Sequence, residues 1–120
     1  KLIKEKKELK IVSDQYGVPT SNAFIAQQIK KIIPLMNNKN KGVYHLVPNG
    51  NCSWYQFSKK IIEYTDQNFN IKNLHQTKSK FLVNIAKRPK NSVLNNDKIK
   101  KTFNLEFKSW YKTFQCFLKY

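Results

Sequence analysis

The stretch Ile11-Val12-Ser13-Asp14-Gln15-Tyr16-Gly17-Val18-Pro19-Thr20-Ser21 decides the fold class of this 120-residue chain. It connects a short apolar run, which begins at Leu9 and is typical of a strand, to a segment with apolar residues at helical spacing. Gly17 and Pro19 indicate a shaped loop between the two elements. A strand that passes through a loop into an amphipathic helix is the repeating unit of α/β folds.

The first helix has recognisable signals at both ends. Thr20 or Ser21 is placed to cap its start, and Pro34 should end or kink it. Its apolar residues recur at helical spacing: Phe24, Ile25, Ile29, Ile32 and Ile33. A strand is then expected at 42–47, stopped by Pro48.

Short strands and amphipathic helices continue to alternate in the rest of the chain. Ser53 and Gln56 form a capping box that opens a helix, and a short strand is expected around Phe69 and 71–74. The polar stretch 76–92 predicts a long loop that is functional or mobile. Polar residues are expected to delimit the last two helices: Asn95 or Asn96, Asn104 and Ser109. The sequence therefore predicts an α/β fold, with Trp54 and Trp110 as core anchors.

The chain is strongly basic, with a net charge of +16 from 23 basic and 7 acidic residues. A nucleic-acid-binding domain would have this balance, and its affinity would fall steeply with salt. A low-GC coding bias would also raise lysine and asparagine on a tolerant surface. The lysines are spread along the chain apart from 1–10 and 98–101, which favours the compositional explanation.

Other classes of protein find little support in the sequence. Cys52 and Cys116 lie far apart, without a CxxC pair or paired histidines, so we expect free buried thiols and no metal site. No apolar run approaches membrane-spanning length and no signal peptide opens the chain, which predicts a cytoplasmic protein. The absence of an initial Met and the lysine-rich, helix-like start suggest a fragment of a longer protein.

Arg88 is the sole arginine of the sequence, among twenty-two lysines. Its planar guanidinium can grip a phosphate or carboxylate at two points, which a lysine ammonium cannot do. Pro89 fixes its own φ angle and favours an extended Arg88, so this segment presents the guanidinium from a stiff backbone. A plain surface arginine is the alternative interpretation.

Three segments, in this order and spacing, resemble the C-terminal part of the dTDP-4-dehydrorhamnose reductases, a family of extended short-chain dehydrogenase/reductases. They are 11–21, then 42–46 with 53–57, then 88–94. The closing helix with Trp110 also resembles the last element of the family. The resemblance runs from Leu9 to the end, and it indicates that residues 1–120 are a single substrate-binding domain without the Rossmann domain.

The resemblance implies an activity for the parent protein. Such an enzyme uses NADPH to reduce the 4-keto group of dTDP-4-dehydro-β-L-rhamnose, giving dTDP-L-rhamnose for bacterial surface polysaccharide. In the family an N-terminal Rossmann domain holds NADPH in a Gly-rich turn and carries the catalytic Tyr-x-x-x-Lys pair. The three glycines here are not grouped in that way. We therefore expect a chain that binds no cofactor, is inactive alone, and partners with the N-terminal domain and, in a homodimer, with a second copy.

The resemblance also implies roles for individual residues. The substrate-binding candidates, which would contact a dTDP-sugar, are Gln15, Tyr16, Arg88 and Asn91. The residues expected to shape their loops are Gly17, Pro19, Thr20 and Pro89. The pyrophosphate of a sugar nucleotide is an anion that suits the two-point grip of Arg88.

Tyr55 and Lys59 formally match the Tyr-x-x-x-Lys pattern, but no catalytic residue is expected in this chain. One helical turn would bring the two side chains together, and an ammonium would lower the pKa of the phenol. In the resemblance, however, this segment corresponds to a helix of the substrate-binding part. A non-enzymatic alternative is a reductase-like module of the kind that regulates methionine adenosyltransferase. The sequence upstream would distinguish it.

Overall fold

The structure is a computed structural model that describes residues 8–65, 70–81 and 88–118. The described residues form four α-helices and four short strands, in the alternating order that the sequence predicts. These are β1 (Leu9–Val12), β2 (Tyr16–Gly17), α1 (Asn22–Ile32), β3 (Cys52–Ser53), α2 (Trp54–Thr65), β4 (Leu74–Thr77), α3 (Asp97–Phe103) and α4 (Trp110–Phe117). The predicted α/β class is confirmed. Within these ranges no helix is long and apolar enough to cross a membrane.

The chain divides into two compact units. The first contains the residues up to Gly17 together with Cys52–Ser92, and the second contains Val18–Asn51 together with the residues from Val93 onward. Each unit is therefore built from two separate stretches of sequence. The expectation that 1–120 forms a single domain stays a prediction.

The first unit is organised around a parallel strand pair. β1 pairs with β4 in a register that runs from Leu9 opposite Leu74 to Val12 opposite Thr77. Both leucines are buried together with Ile62, so α2 covers this pair with its apolar face. Leu9 and Leu74, which lie 65 positions apart in sequence, thus share the core of this unit.

The second unit has an aromatic core. Phe24, Ile99, Phe103 and Phe107 are buried together, and the rings of Phe24 and Phe107 meet edge to face with centroids 5.3 Å apart. Edge-to-face contact brings the positive edge of one ring to the negative face of the other. Phe24 is the buried member of the apolar face predicted for α1, whereas Ile33 is exposed.

The helix starts follow the predicted capping chemistry. Ser21, not Thr20, caps α1, because its hydroxyl accepts a hydrogen bond from the amide of Phe24 at 3.2 Å. At α2, Ser53 accepts from the amide of Gln56 at 3.2 Å, and Gln56 accepts from the amide of Ser53 at 2.8 Å. The predicted capping box is confirmed, and it fixes where α2 leaves β3.

The last two helices also agree with the predicted limits. Asn104 ends α3 with φ 48°, in the left-handed region, and the hydroxyl of Ser109 accepts from the Lys112 amide at the start of α4. Asn95 accepts from the Asp97 amide at 2.7 Å, while Asn96 occupies the cap position without a side-chain cap. These polar residues therefore end and start the helices as the sequence indicates.

The prediction of a strand at 42–47 is wrong. Among the described residues this segment joins no sheet, and two of its carbonyl groups are taken by side chains instead: Lys98 donates to the carbonyl of Val43, and Asn96 donates to that of Val47, both at 2.9 Å. The strand expected at 71–74 begins only at Leu74, after a 3₁₀ turn at Ile71–Asn73. Because this strand continues to Thr77, it includes the first two residues of the loop predicted at 76–92. Phe69 lies outside the described residues.

The predicted burial of two residues is also wrong. Trp54 is 55% exposed at the first turn of α2, and Cys116 is exposed on α4. Cys52 is buried, as expected, and Trp110 is half-buried with its indole N–H donating to the carbonyl of Asn51 at 3.2 Å.

Candidate functional site

The first unit joins parts of all three resembling segments through backbone contacts, and the second of these segments contributes the start of α2. β2 pairs with β3 in the antiparallel sense, with Tyr16 opposite Ser53, and Tyr16 forms a parallel bridge to Asn91. The Tyr16 amide donates to the carbonyl of Lys90 at 2.8 Å, and the Tyr16 carbonyl accepts from the amide of Ser92 at 2.9 Å. We call the three bonded segments 15–17, 52–54 and 90–92 the three-segment ladder.

The close approach of Ser92 to β2 explains why position 17 is a glycine. The hydroxyl of Ser92 also donates to the carbonyl of Tyr16, at 2.9 Å, and a Cβ atom at position 17 would stand 3.2 Å from that hydroxyl oxygen. Gly17 does not have a positive φ angle, so crowding and not backbone conformation favours glycine here. Gly17, which was predicted to shape the loop, therefore acts by allowing the segment 90–92 to pack close to β2.

Asp14 anchors the entrance to the ladder. Its carboxylate accepts from the Ser79 amide at 2.8 Å and from the Ser79 hydroxyl at 3.0 Å. The amide hydrogen bond is the main reason that the pKa of Asp14 is lowered, with the Ser79 hydroxyl and Lys78 acting in the same direction against desolvation. The sequence offers no signal for this contact, since the partners are 65 positions apart.

The predicted substrate-binding residues gather at the ladder. Gln15 is half-buried and its carbonyl accepts from the Trp54 amide at 3.3 Å, while Tyr16 is 42% exposed. Asn91 is exposed opposite Tyr16, and Arg88 is exposed two residues before the ladder strand begins. Among residues 8–65, 70–81 and 88–118, no hydrogen bond or ion pair engages the Arg88 guanidinium.

Trp54 is a candidate that the sequence reasoning missed. It follows β3 directly and its indole is more exposed than buried, with the ring edge-to-face to Phe57 at 6.4 Å. The ladder thus carries two exposed aromatic side chains, Tyr16 and Trp54, beside polar groups. An exposed aromatic face stacks on planar or apolar ligand surfaces. The signal in the sequence was the position of Trp54 immediately after a capping serine, at a helix start.

The remaining predictions concern residues that this ladder does not include. Pro89 is exposed just ahead of it, and Pro19 and Thr20 belong to the second unit, where the Thr20 hydroxyl donates to the carbonyl of Val18 at 3.0 Å. Tyr55 is half-buried against the core of the first unit, and in the described ranges no hydrogen bond joins it to Lys59. The same ranges hold no group of three residues able to bind a metal ion.

Comparison with known proteins identifies the family. The sequence model of the RmlD substrate binding domain matches residues 1–120. The chain belongs to this family. A dTDP-4-dehydrorhamnose reductase of Shigella flexneri is 30% identical over 115 residues, which cover 92% of this chain and 38% of the relative. The family resemblance of the three sequence segments is thereby confirmed.

Solved structures show the same fold. The dTDP-4-dehydrorhamnose reductase of Clostridium acetobutylicum matches with a TM-score of 0.83 and 32% identity, over 98% of this chain and 40% of that one. The reductase of Bacillus anthracis, solved in complex with NADP, matches with a TM-score of 0.81 and 31% identity, over 97% and 39%. The chain therefore spans about two fifths of the length of these relatives.

Proposed function

We propose that this chain is the sugar-nucleotide-binding part of a dTDP-4-dehydrorhamnose reductase. The parent enzyme reduces the 4-keto group of dTDP-4-dehydro-β-L-rhamnose and produces dTDP-L-rhamnose. The observation that carries the proposal is the three-segment ladder, in which backbone hydrogen bonds join parts of all three segments that resemble the family. Membership of the substrate binding domain family supports the same assignment.

Arg88 is assigned to the pyrophosphate of the substrate. Its guanidinium is exposed and engages no partner within the described ranges, so it is available to an anionic ligand. A two-point contact between a guanidinium and a phosphate is short and charge-assisted, and it fixes orientation as well as affinity. Asn91, which lies opposite Tyr16, adds neutral hydrogen-bonding groups near this position.

The exposed aromatic residues are assigned to the uncharged parts of the substrate. Tyr16 and Trp54 are exposed at the ladder, and the thymine base or the sugar ring offers a planar or apolar surface for their rings. Gln15 is half-buried next to Tyr16 in sequence, and its carbonyl accepts a hydrogen bond from the Trp54 amide. The four residues predicted from the sequence thus gain Trp54 as a fifth.

The reaction itself requires groups outside this chain. NADPH and the proton donor are assigned to an N-terminal domain of the parent protein, in keeping with the bound NADP of the longer Bacillus anthracis relative. The chain alone contributes binding and orientation of the sugar nucleotide, and we predict that it has no reductase activity. A cytoplasmic location and a homodimeric parent also stay predictions.

A chimera tests this function. The matching C-terminal part of the Clostridium acetobutylicum reductase is replaced by this chain, and oxidation of NADPH is followed with dTDP-4-dehydro-β-L-rhamnose as substrate. We expect a chimera that turns over this substrate, whereas the isolated chain does not. The variant Arg88→Ala in the chimera should raise KM at least about tenfold, since a charge-assisted pair contributes roughly 1.5–3 kcal/mol.

The matched control is Lys90→Gln, which removes one positive charge from the same exposed segment and leaves the backbone contact to Tyr16. It should change KM little. Two results would contradict the proposal: NADPH oxidation by the chain alone, or a folded, NADP-binding chimera that does not bind the dTDP-sugar.

A further inference from the structure

The second unit contains a cavity that the proposed function leaves unassigned. It has a volume of about 270 Å³ and is lined by residues of α1 and α4 and by Glu106 and Lys108 of the segment between α3 and α4. Its lining combines amide, hydroxyl and charged side chains with the apolar residue Phe24. A few converging polar groups beside an apolar surface are typical of a site for a small molecule.

Gln28 supplies the observation that points to a ligand. This residue of α1 lines the cavity, is only 6% exposed, and has a buried Oε1 atom without any hydrogen-bond donor in the described residues. Buried side-chain oxygens are almost always paired, because leaving one unpaired is costly. The amide can rotate about its terminal bond and present its oxygen or its NH₂ group to the cavity. A molecule in the cavity would complete its hydrogen bonding.

The charges at the cavity indicate what that molecule carries. Lys31 of α1 and Lys108 are basic and Glu106 is acidic, so the charged lining has a net positive sign. In the described ranges, none of these three side chains forms an ion pair with another. Two ammonium groups suit one anionic group of a ligand, and a carboxylate beside two glutamine amides suits hydroxyl groups.

From this we infer a binding site in the second unit for a small hydroxylated molecule of monosaccharide size with one negatively charged group. The lysines contact the anionic group, while Glu106, Gln27 and Gln28 contact hydroxyls. Phe24 supplies the apolar contact for the carbon skeleton. Sugar acids and sugar phosphates share this chemistry, and the probes below distinguish them.

Cys116 provides a reporter for binding. It lines the cavity and its thiol is exposed, whereas Cys52 is buried and burial raises its pKa to about 11. At about pH 8, a thiol reagent therefore labels Cys116 selectively. Glucuronate, glucose 6-phosphate, glucose and inorganic phosphate are added separately to the 120-residue chain, and the labelling rate is measured against concentration.

We expect saturable protection by glucuronate or by glucose 6-phosphate, and the stronger of the two identifies the anionic group. At a concentration ten times the Kd, the rate should fall about tenfold. Glucose has the hydroxyl groups without a negative charge, and inorganic phosphate has the charge without the carbon skeleton. Each should therefore protect at least about tenfold more weakly.

Variants separate a binding role from a structural one. Gln28→Leu removes the unpaired amide, so it should keep or raise the melting temperature while it weakens protection about tenfold. Lys31→Gln should weaken protection by the anionic probes, whereas Lys30→Gln, which removes a charge from a neighbouring α1 position that does not line the cavity, should not. Protection that is absent for every probe, or that is unchanged in Gln28→Leu, would overturn the inference.

Discussion

The amide and the hydroxyl of Ser92 both donate to the carbonyl oxygen of Tyr16, each at 2.9 Å. This double contact ties the segment after Arg88 to β2, and it crowds the position where Gly17 would carry a Cβ atom. Residues 76 positions apart in sequence are thereby held together at the proposed sugar-nucleotide site. Substitutions at Gly17 and Ser92 should therefore change the stability of the chain.

Gly17→Ala should destabilise the chain, because the new methyl group forces the Ser92 hydroxyl away from the Tyr16 carbonyl. We expect a loss of about 0.5–1.5 kcal/mol in the free energy of unfolding, the size of one hydrogen bond. In a Ser92→Ala background the crowding is removed, and Gly17→Ala should be neutral or stabilising by up to about 1 kcal/mol.

Urea unfolding of the wild type, both single variants and the double variant measures this coupling. Strictly additive effects of the two substitutions would show that the crowding between Gly17 and Ser92 does not control stability. Ser92→Ala alone also reports the hydroxyl contact, since the backbone hydrogen bond to Tyr16 remains in that variant.

The capping box at α2 gives a second prediction. Ser53→Ala and Gln56→Ala should each cost about 1 kcal/mol of unfolding free energy, because each leaves an amide at the helix start without its acceptor. Gln56→Glu keeps the acceptor and places a negative charge at the positive end of the helix, so it should match the wild type or exceed it. A Gln56→Glu variant as unstable as Gln56→Ala would contradict the capping role.

Asp14 makes the first unit sensitive to acid. Its pKa is lowered from the ordinary value of 3.8, chiefly by the Ser79 amide. A lowered carboxyl pKa adds stability above the ordinary value, and this stability is lost as pH falls through the lowered value. The wild type should therefore be more stable than Asp14→Asn near neutral pH, and the difference should close as pH falls below 3.8.

Denaturation midpoints of the two proteins, measured along a pH series, test this prediction. Glu63→Gln removes a carboxylate from the exposed side of α2 and serves as the control. A difference between wild type and Asp14→Asn that persists unchanged in acid would mean that ionisation of Asp14 does not contribute.

The two thiols should differ in reactivity. Burial raises the pKa of Cys52 to about 11, so at about pH 8 roughly one Cys52 in a thousand is a thiolate. A chromogenic thiol reagent should therefore modify one thiol per folded chain and two after unfolding in guanidinium. Cys116→Ser should abolish the fast reaction, and fast labelling that survives in this variant would contradict the burial of Cys52.

Local chemistry explains which parts of the fold were predictable from sequence. The capping box at Ser53, the cap at Ser109 and the left-handed Asn104 were predicted correctly, because each depends on neighbours within a few residues. The strand at 42–47 was not, since its β-prone residues are held by the side chains of Asn96 and Lys98 from far along the chain. Alternation of β-prone residues does not reveal such donors.

The same contrast between local and long-range contacts applies to the candidate site. The sequence singled out residues of two of the ladder segments through family resemblance, yet neither pattern nor spacing indicated that 90–92 would bond to β2. Trp54 was predicted to be in the core because tryptophan usually is, and its place at a helix start beside β3 leaves it exposed instead. The sequence also offered no sign of the unpaired amide of Gln28. The residues that surround it include Glu106 and Lys108, which lie far along the chain from α1.

The most direct test of the proposed site is a titration of the ¹⁵N-labelled chain with dTDP-L-rhamnose, followed by NMR. We predict shifts of amide signals at 15–17, 52–54 and 88–92. Arg88→Lys should weaken binding about tenfold, because an ammonium lacks the two-point grip, whereas Lys90→Gln should change it little. Amide shifts that avoid these segments, or an affinity that Arg88→Lys leaves unchanged, would contradict the assignment of the sugar nucleotide to this site.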